Sequence, residues 1–422
     1  MDSTKKPTAV IVGGGFGGIN AAKILAKENI NVVMIDRKNH HLFQPLLYQV
    51  ATAGLSPADI ATPIRAIMAK FGPHSQTFLA EAKSIDLDHS ILKTDFRDFA
   101  YDYLILACGA QHSYFGHNEW EDFAPGLKTL EQAREIRRRV FLAFELAERE
   151  DNREKTRSLL TFVVIGGGPT GVELAGTLGE ISRYALSKEF SHIDPACTRV
   201  ILLEAGKRIL PSFSKSTAKR ALKDLEALGV QVWTESAVTN IDKDGVHIDK
   251  ERISATTVLW AAGVAPAAIG KTLEGEHDRL GRVIVEADLS LKNHPNVFVI
   301  GDMAHCKDSA QQPLPGVASV AIQQGRHAAK NVIASIKGKA RKEFRYVDKG
   351  QMATIGRGRA VAEMGKARIE GFLAWIVWLA VHIYYLIGFR NRLLVMTQWA
   401  LAFFSFRKGA RIIQNQDWKS GD

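Results

Sequence analysis

A glycine-rich turn occurs twice in this 422-residue chain, and no other feature restricts its fold as strongly. Residues 8–18 read TAVIVGGGFGG and residues 161–171 read TFVVIGGGPTG. Each copy is a β-branched run, then glycines, then a segment of helical pattern. Each then meets a second apolar run that ends in an acid, Asp36 after residues 31–35 and Glu204 after residues 199–203. This is a βαβ unit read twice.

The spacing gives each glycine a task. In Gly13-x-Gly15-x-x-Gly18 and Gly166-x-Gly168-x-x-Gly171 the first glycine makes the tight turn. The second lets a pyrophosphate approach the backbone, and the third lets helix pack on strand. The helix N-terminus then offers free N–H groups and a partial positive charge to the phosphates. Asp36 and Glu204 stand where a carboxylate accepts hydrogen bonds from ribose hydroxyls. Such an acid repels a 2′-phosphate, so the second site favours NADH over NADPH, with Arg208 four residues on working against that preference. One motif alone is weak evidence; two in strand–turn–helix context imply two dinucleotides and electron traffic between them.

The rest of the chain is organised around these units. Residues 132–157 are charged and helical in pattern and link the two. Residues 184–197 read as an insertion in the second crossover. A helix over 215–229, a hairpin-like stretch over 230–253, strands over 257–261 and 296–300 and a helix over 318–336 follow. Three cysteines, Cys108, Cys197 and Cys306, have no close neighbour in sequence. A disulfide framework or cysteine-rich metal site is therefore not expected, no metal is assigned, and a reducing compartment is the simpler reading. The first apolar stretch, residues 9–12, runs straight into glycines, so it reads as a strand and not as a signal peptide.

The tail has a different texture. Residues 371–389 read GFLAWIVWLAVHIYYLIGF, and residues 393–406 form a second apolar stretch. Nineteen residues make a helix of ~28 Å, close to a hydrocarbon core. Trp375, Trp378, His382, Tyr385 and Phe389 fall on one helical stripe, however, which suggests a helix lying in the interface plane. From Lys366 onward eight basic residues (Lys366, Arg368, Arg390, Arg392, Arg407, Lys408, Arg411, Lys419) oppose three acidic ones (Glu370, Asp417, Asp422), half of the chain's net +10. That charge suits an anionic lipid surface. No nucleic-acid motif accompanies it, so no nucleic-acid partner is expected. A buried core helix or a dimer seam is the competing reading of the same apolar stretch.

Beyond the glycine motifs, HLFQPLLYQVATAG at 41–54, LILACGA at 104–110, WAAGV at 260–264, GDMA at 301–304 and AIQQG at 321–325 are far more specific. With these segments the chain resembles the two-dinucleotide-binding-domain flavoproteins, and most closely the type II NADH:quinone oxidoreductases, over nearly its whole length. The resemblance implies FAD as cofactor, NADH as substrate, and a membrane quinone reduced without proton pumping. It assigns Gly13, Gly15, Phe16, Gly17, Gly18, Asp36 and Arg37 to the ADP half of FAD. Ala107, Gly109 and Asp302 would follow the rest of that cofactor, with Ala321 and Ile322 against its ring. Gly166, Gly168, Pro169, Thr170, Gly171 and Glu204 would hold NADH, and Ala262, Gly263 and Val264 would line its approach. Glu173 and Gln323 become the catalytic candidates. Glu173 either relays protons or only orients NADH, and Ser319, Gln323 and Gln324 fall on the quinone side. Many family members carry glutamine where this chain has Ser319, which shortens the reach there.

Related flavoproteins work through cysteines. Residues 40–55 contain none, which argues against disulfide reduction, and Cys108 and Cys306 read as small buried hydrophobes. A sulfide:quinone or other flavin reductase, and a non-catalytic NADH-sensing flavoprotein, stay open as alternatives. The expected fold is α/β, with two Rossmann-like dinucleotide-binding domains and a C-terminal amphipathic helical membrane-binding region. The FAD domain (1–125 and 281–345) is discontinuous, the NADH domain (126–280) is inserted in it, and the anchor follows (346–422). A homodimer bound peripherally to the cytoplasmic face of an inner membrane completes the expectation.

Overall fold

The computed structural model describes residues 6–186, 189–308, 310–405 and 409–413. Phe406, Arg407, Lys408, Asp417, Lys419 and Asp422 of the basic tail lie outside the described residues. The chain divides into two compact units. One comprises the chain up to Leu42, Ala61–Gln111 and Val264–Lys349; the other comprises Phe43–Ile60, His112–Gly263 and the chain from Gly350 onward.

The first unit is built on six strands in the order Ser290–Leu291, His294–Val299, Tyr103–Leu106, Thr8–Val12, Asn31–Asp36 and Ser75–Leu79. All neighbours are parallel except the first pair. Val10 pairs with both Val33 and Leu104, and the central strand is buried on both faces. That explains why its sequence is apolar throughout and does not alternate. The helices Phe16–Leu25 and Ala318–Ile336 cross so closely that a Cβ on Gly325 would come within 2.1 Å of the Gly17 carbonyl oxygen.

The second unit repeats the design with four parallel strands in the order Val230–Trp233, Arg199–Leu203, Thr161–Ile165 and Thr257–Trp260. The expected hairpin over 230–253 is corrected here. Val230–Trp233 is instead the parallel edge of this sheet, reached by a crossover through the helix Lys215–Ala227. Gly229, at φ +72°, makes the turn back. The hairpin arms begin only at Val238. The linking helix is two helices, Leu130–Glu148 with a Thr129–Gln132 capping box, and Arg153–Leu159 capped by Asn152.

The tail departs most from expectation. It starts with an antiparallel sheet of Gln351–Gly356, Arg359–Met364 and Ala367–Glu370 that the sequence reading missed. The first apolar helix covers only Gly371–Tyr385, because Leu386 is extended and Gly388 adopts φ +95° before the helix Phe389–Ser405 begins. No described helix is long and apolar enough to cross a membrane. The aromatic stripe is also corrected. Trp378 and His382 are buried, their rings stacked at 3.9 Å, with Trp399 at 5.5 Å and Tyr48 edge-on at 6.5 Å. They form a protein seam against the segment Phe43–Ile60. The stripe is therefore split: Tyr385 and Phe389 are exposed, together with Phe372, Leu373, Ile376, Tyr384, Leu393, Met396, Leu401 and Phe404 from outside it.

Candidate active site

In the first unit Gly13 adopts φ +103°, and a Cβ there would stand 2.3 Å from the Ala107 carbonyl oxygen. A Cβ on Gly18 would stand 1.9 Å from the Gly13 oxygen. Both glycines are demanded by the protein itself. Gly15 is not: its φ of −75° suits any residue, and its Cβ would meet nothing nearer than the Ala107 oxygen at 4.0 Å. The helix that Gly15 opens has no side-chain cap and no acid in its first turn. The helix therefore starts beside a position kept free of a side chain, which fits a pyrophosphate.

Asp36 closes the cradle. Its two oxygens accept from Gly14 N at 2.6 Å and Lys38 N at 2.7 Å, while burial pushes the carboxyl above its ordinary range. Arg37 beside it is exposed. His41, which the sequence reading gave no role, is buried and kept neutral by burial. Its Nδ1 bonds the Gly14 oxygen at 2.8 Å and its ring meets Phe16 edge-on at 5.2 Å.

A cavity of about 120 Å³ in the same unit is lined by Ala110, Arg282, Gly301, Asp302 and Gln324. Gln324, expected beside Ser319 and Gln323, is instead buried, with Oε1 accepting from Gly301 N at 2.7 Å. Gln323 is engaged with Val347, donating Nε2 to its oxygen at 2.9 Å and accepting from its N–H at 3.0 Å. The Ser319 hydroxyl bonds the Tyr346 hydroxyl at 2.9 Å. Ala321 is partly exposed and Ile322 buried. Gly109 adopts φ +69° and faces open space. Arg282, also missed, is held by Asp278 at 2.7 Å.

The second unit reproduces the cradle. Cβ atoms on Gly166 and Gly171 would stand 2.7 Å from the Ala261–Ala262 backbone and 1.8 Å from the Gly166 oxygen. Gly168, at φ −71°, has nothing within 4 Å, and Pro169 and Thr170 after it are exposed at an uncapped helix start. Glu204 accepts from Gly167 N at 2.7 Å and Gly206 N at 2.6 Å, as Asp36 does in its own unit. Arg208 is turned away, its guanidinium donating to the carbonyls of Phe213 at 2.6 Å and Pro211 at 2.7 Å. It is therefore committed elsewhere and does not supply the charge a 2′-phosphate needs. We expect Glu204→Ala to raise the KM for NADH about tenfold while leaving that for NADPH nearly unchanged, read from initial rates with each coenzyme. Ala262 and Gly263 end the middle segment of this unit, and Val264, half exposed, starts the last segment of the other.

Glu173 lies on the helix Pro169–Glu180. Burial pushes its carboxyl up to about 8, against a weak 3.5 Å contact from Thr354 N. Its charge in turn raises the Tyr48 phenol, which burial already holds well above its usual value. Tyr48 and Thr354 were missed as its neighbours because they lie far from it in sequence. Burial also pushes the Cys108 thiol up to about 12 and raises Cys306, so neither is a thiolate at neutral pH.

A duplicated phosphate cradle with an acid on each second strand defines a two-dinucleotide oxidoreductase. The pyridine nucleotide-disulphide oxidoreductase model matches residues 7–325 and the NDH2 C-terminal domain model residues 349–408. Type II NADH:quinone oxidoreductase Ndh of Mycobacterium tuberculosis is 40% identical, across 99% of this chain and 94% of that protein. NdhA of the same organism is 42% identical, across 96% and 89%. The structure of NDH2 from Plasmodium falciparum in complex with NADH superposes with a TM-score of 0.87 over 97% of this chain and 100% of that one. At 19% identity this likeness concerns the fold alone. The chain belongs to the type II NADH:quinone oxidoreductase family.

Proposed function

We propose that this chain oxidises NADH and reduces a membrane quinone, with FAD as the resident cofactor of the first unit. The carrying observation is that Gly15 and Gly168 alone among the motif glycines have open space where a Cβ would stand. FAD, when bound, takes two electrons from NADH and releases them to the quinone. Gly13, Gly15, Phe16, Gly17, Gly18 and Asp36 hold its ADP half, and Asp302 and Gln324 line the cavity further along. Gly168, Thr170, Gly171 and Glu204 seat NADH. Glu173 keeps a proton up to about pH 8 and supplies it for quinone reduction. Gln323 must give up its pair with Val347 to meet a quinone, and Ser319 its bond to Tyr346. The raised thiols of the partly buried Cys108 and the buried Cys306 weigh against a sulfide donor. A steady-state assay of NADH oxidation by the purified yellow protein with a soluble quinone tests the reading; absence of quinone-dependent turnover would overturn it.

The exposed apolar face of the two C-terminal helices, with the basic residues beside it, supports peripheral binding to an anionic lipid surface at the cytoplasmic face of an inner membrane. Phe389 and Phe404 are 82% and 83% exposed, so replacing them costs the fold little. We expect Phe389→Glu with Phe404→Glu to move most of the protein from membrane to soluble fraction while NADH oxidation with a soluble quinone persists. The reading includes a homodimer, as the family resemblance implies, which sedimentation in detergent would check.

A further inference from the structure

The second unit carries a large cleft that the chemistry above leaves unused. Its volume is about 980 Å³, within the size range of small-molecule sites. Thr161 and Arg199 in its wall are the first residues of the strands Thr161–Ile165 and Arg199–Leu203. The glycine turn and Glu204 follow the far ends of those same strands, roughly 15 Å away along five residues of strand. The wall on one side is formed by His192, Ile193 and Cys197, from the insertion at 184–197. That insertion is the part of the crossover the dinucleotide site does not need.

The lining is basic and under-bonded. Arg153, Arg157, Arg183 and Arg199 face the cleft, and none forms an ion pair among the described residues. Glu150 and Asp151 are the acids beside them, which leaves an excess of positive charge. Arg183 Nη1 and Thr198 Oγ1 are both buried without a hydrogen-bond partner, and Thr198 is only 3% exposed. Buried donors are ordinarily satisfied, so two orphans in one cleft mark the place of a missing acceptor. The surroundings keep these donors in place. Arg183 sits on a single π-helical turn, Ile181–Ala185, and lies across Gly229, where a Cβ would come within 1.7 Å of its Nη2. Arg199 donates Nε to Gln231 at 3.1 Å and lies over the Trp233 ring at 5.8 Å.

We infer that this cleft is a second anion site on the NADH-binding unit, taking a soluble phosphate-bearing molecule of nucleotide size. Guanidinium forks match phosphate oxygens in pairs, and a hydroxyl completes the set. The site is independent of the coenzyme turn, so its occupant and NADH bind together.

Calorimetric titration of the FAD-loaded protein with pyrophosphate tests this, in low salt and with millimolar NAD⁺ filling the coenzyme turn. One saturable site is expected, weakened by added salt. AMP should bind there and adenosine should not. Thr198→Val and Arg199→Gln should each weaken binding about fivefold or more, and Arg157→Gln with Arg153→Gln likewise, with the KM for NADH unchanged. The last two side chains are exposed, so their replacement leaves the fold intact. Absence of binding under saturating NAD⁺, or binding unaltered in these variants, would overturn the assignment. Binding of phosphatidic acid vesicles but not of pyrophosphate would also overturn it, in favour of a lipid headgroup.

Discussion

Gly168→Ala is expected to lower kcat/KM for NADH by about 10- to 100-fold with almost no loss of stability. The backbone there, at φ −71° and ψ 179°, accepts alanine, and no atom stands within 4 Å of the new Cβ. What the methyl group displaces is the pyrophosphate, and each charge-assisted hydrogen bond lost from it costs about 1.5–3 kcal/mol. Gly171→Ala is the contrast. Its Cβ would stand 1.8 Å from the Gly166 oxygen, so the turn itself must move and the protein should unfold at lower temperature. Initial rates and thermal melts on the two variants separate the roles; equal loss of stability in both would refute the division. Gly15→Ala should likewise give a folded but colourless protein.

Glu173→Gln should reduce quinone turnover about 10²-fold and abolish one limb of the pH profile. With its carboxyl pushed up to about 8, Glu173 is a proton donor below that pH and a carboxylate above it. Turnover in the parent should therefore fall as pH rises through 8, and the glutamine variant should show no such fall. The stability of the parent should also fall as pH rises. A carboxyl raised in the folded state favours folding fully below its unfolded value of 4.5, and that contribution is lost as pH rises through the folded value. At pH 8 the variant should be more stable than the parent by about 1–3 kcal/mol in denaturant melts. A parent and variant with the same pH limb would exclude Glu173 as the proton source.

Much of the site was legible because it is local. Strand, glycine turn, helix and terminal acid occupy fewer than 45 residues in each copy, and the contacts that require the first and third glycines are made within it or to the strand end beside it. Asp36 and Glu204 stand at the strand ends where the spacing puts them, and each also closes its own turn through the N–H of the middle glycine of the GGG run. A residue whose role depends on distant chain was not legible in this way. The stripe from Trp375 to Phe389 has a period that a lipid surface or a protein seam satisfies equally. Only the arrival of Tyr48 and Trp399 shows that Trp378 and His382 face protein, with Trp399 donating its indole N–H to Gln49 at 2.7 Å. Consecutive glutamines at 323 and 324 look alike in sequence, yet the 100° turn of a helix sends one to Val347 and the other beneath Gly301.

The sequence by itself determined that two dinucleotide cradles exist, which acid stands at each, and that residues 40–55 hold no cysteine pair for disulfide reduction. These follow from backbone requirements that only certain residues meet at a fixed spacing. The tertiary structure decided that Glu173 is enclosed with only a 3.5 Å contact from Thr354 N, so that burial raises its carboxyl. It also decided that Arg208 is spent on carbonyls, that the aromatic stripe of the tail is split between a buried and an exposed part, and that four arginines from three elements share one cleft. Burial and unmet hydrogen bonds belong to no segment alone; they arise only when distant segments close around a side chain.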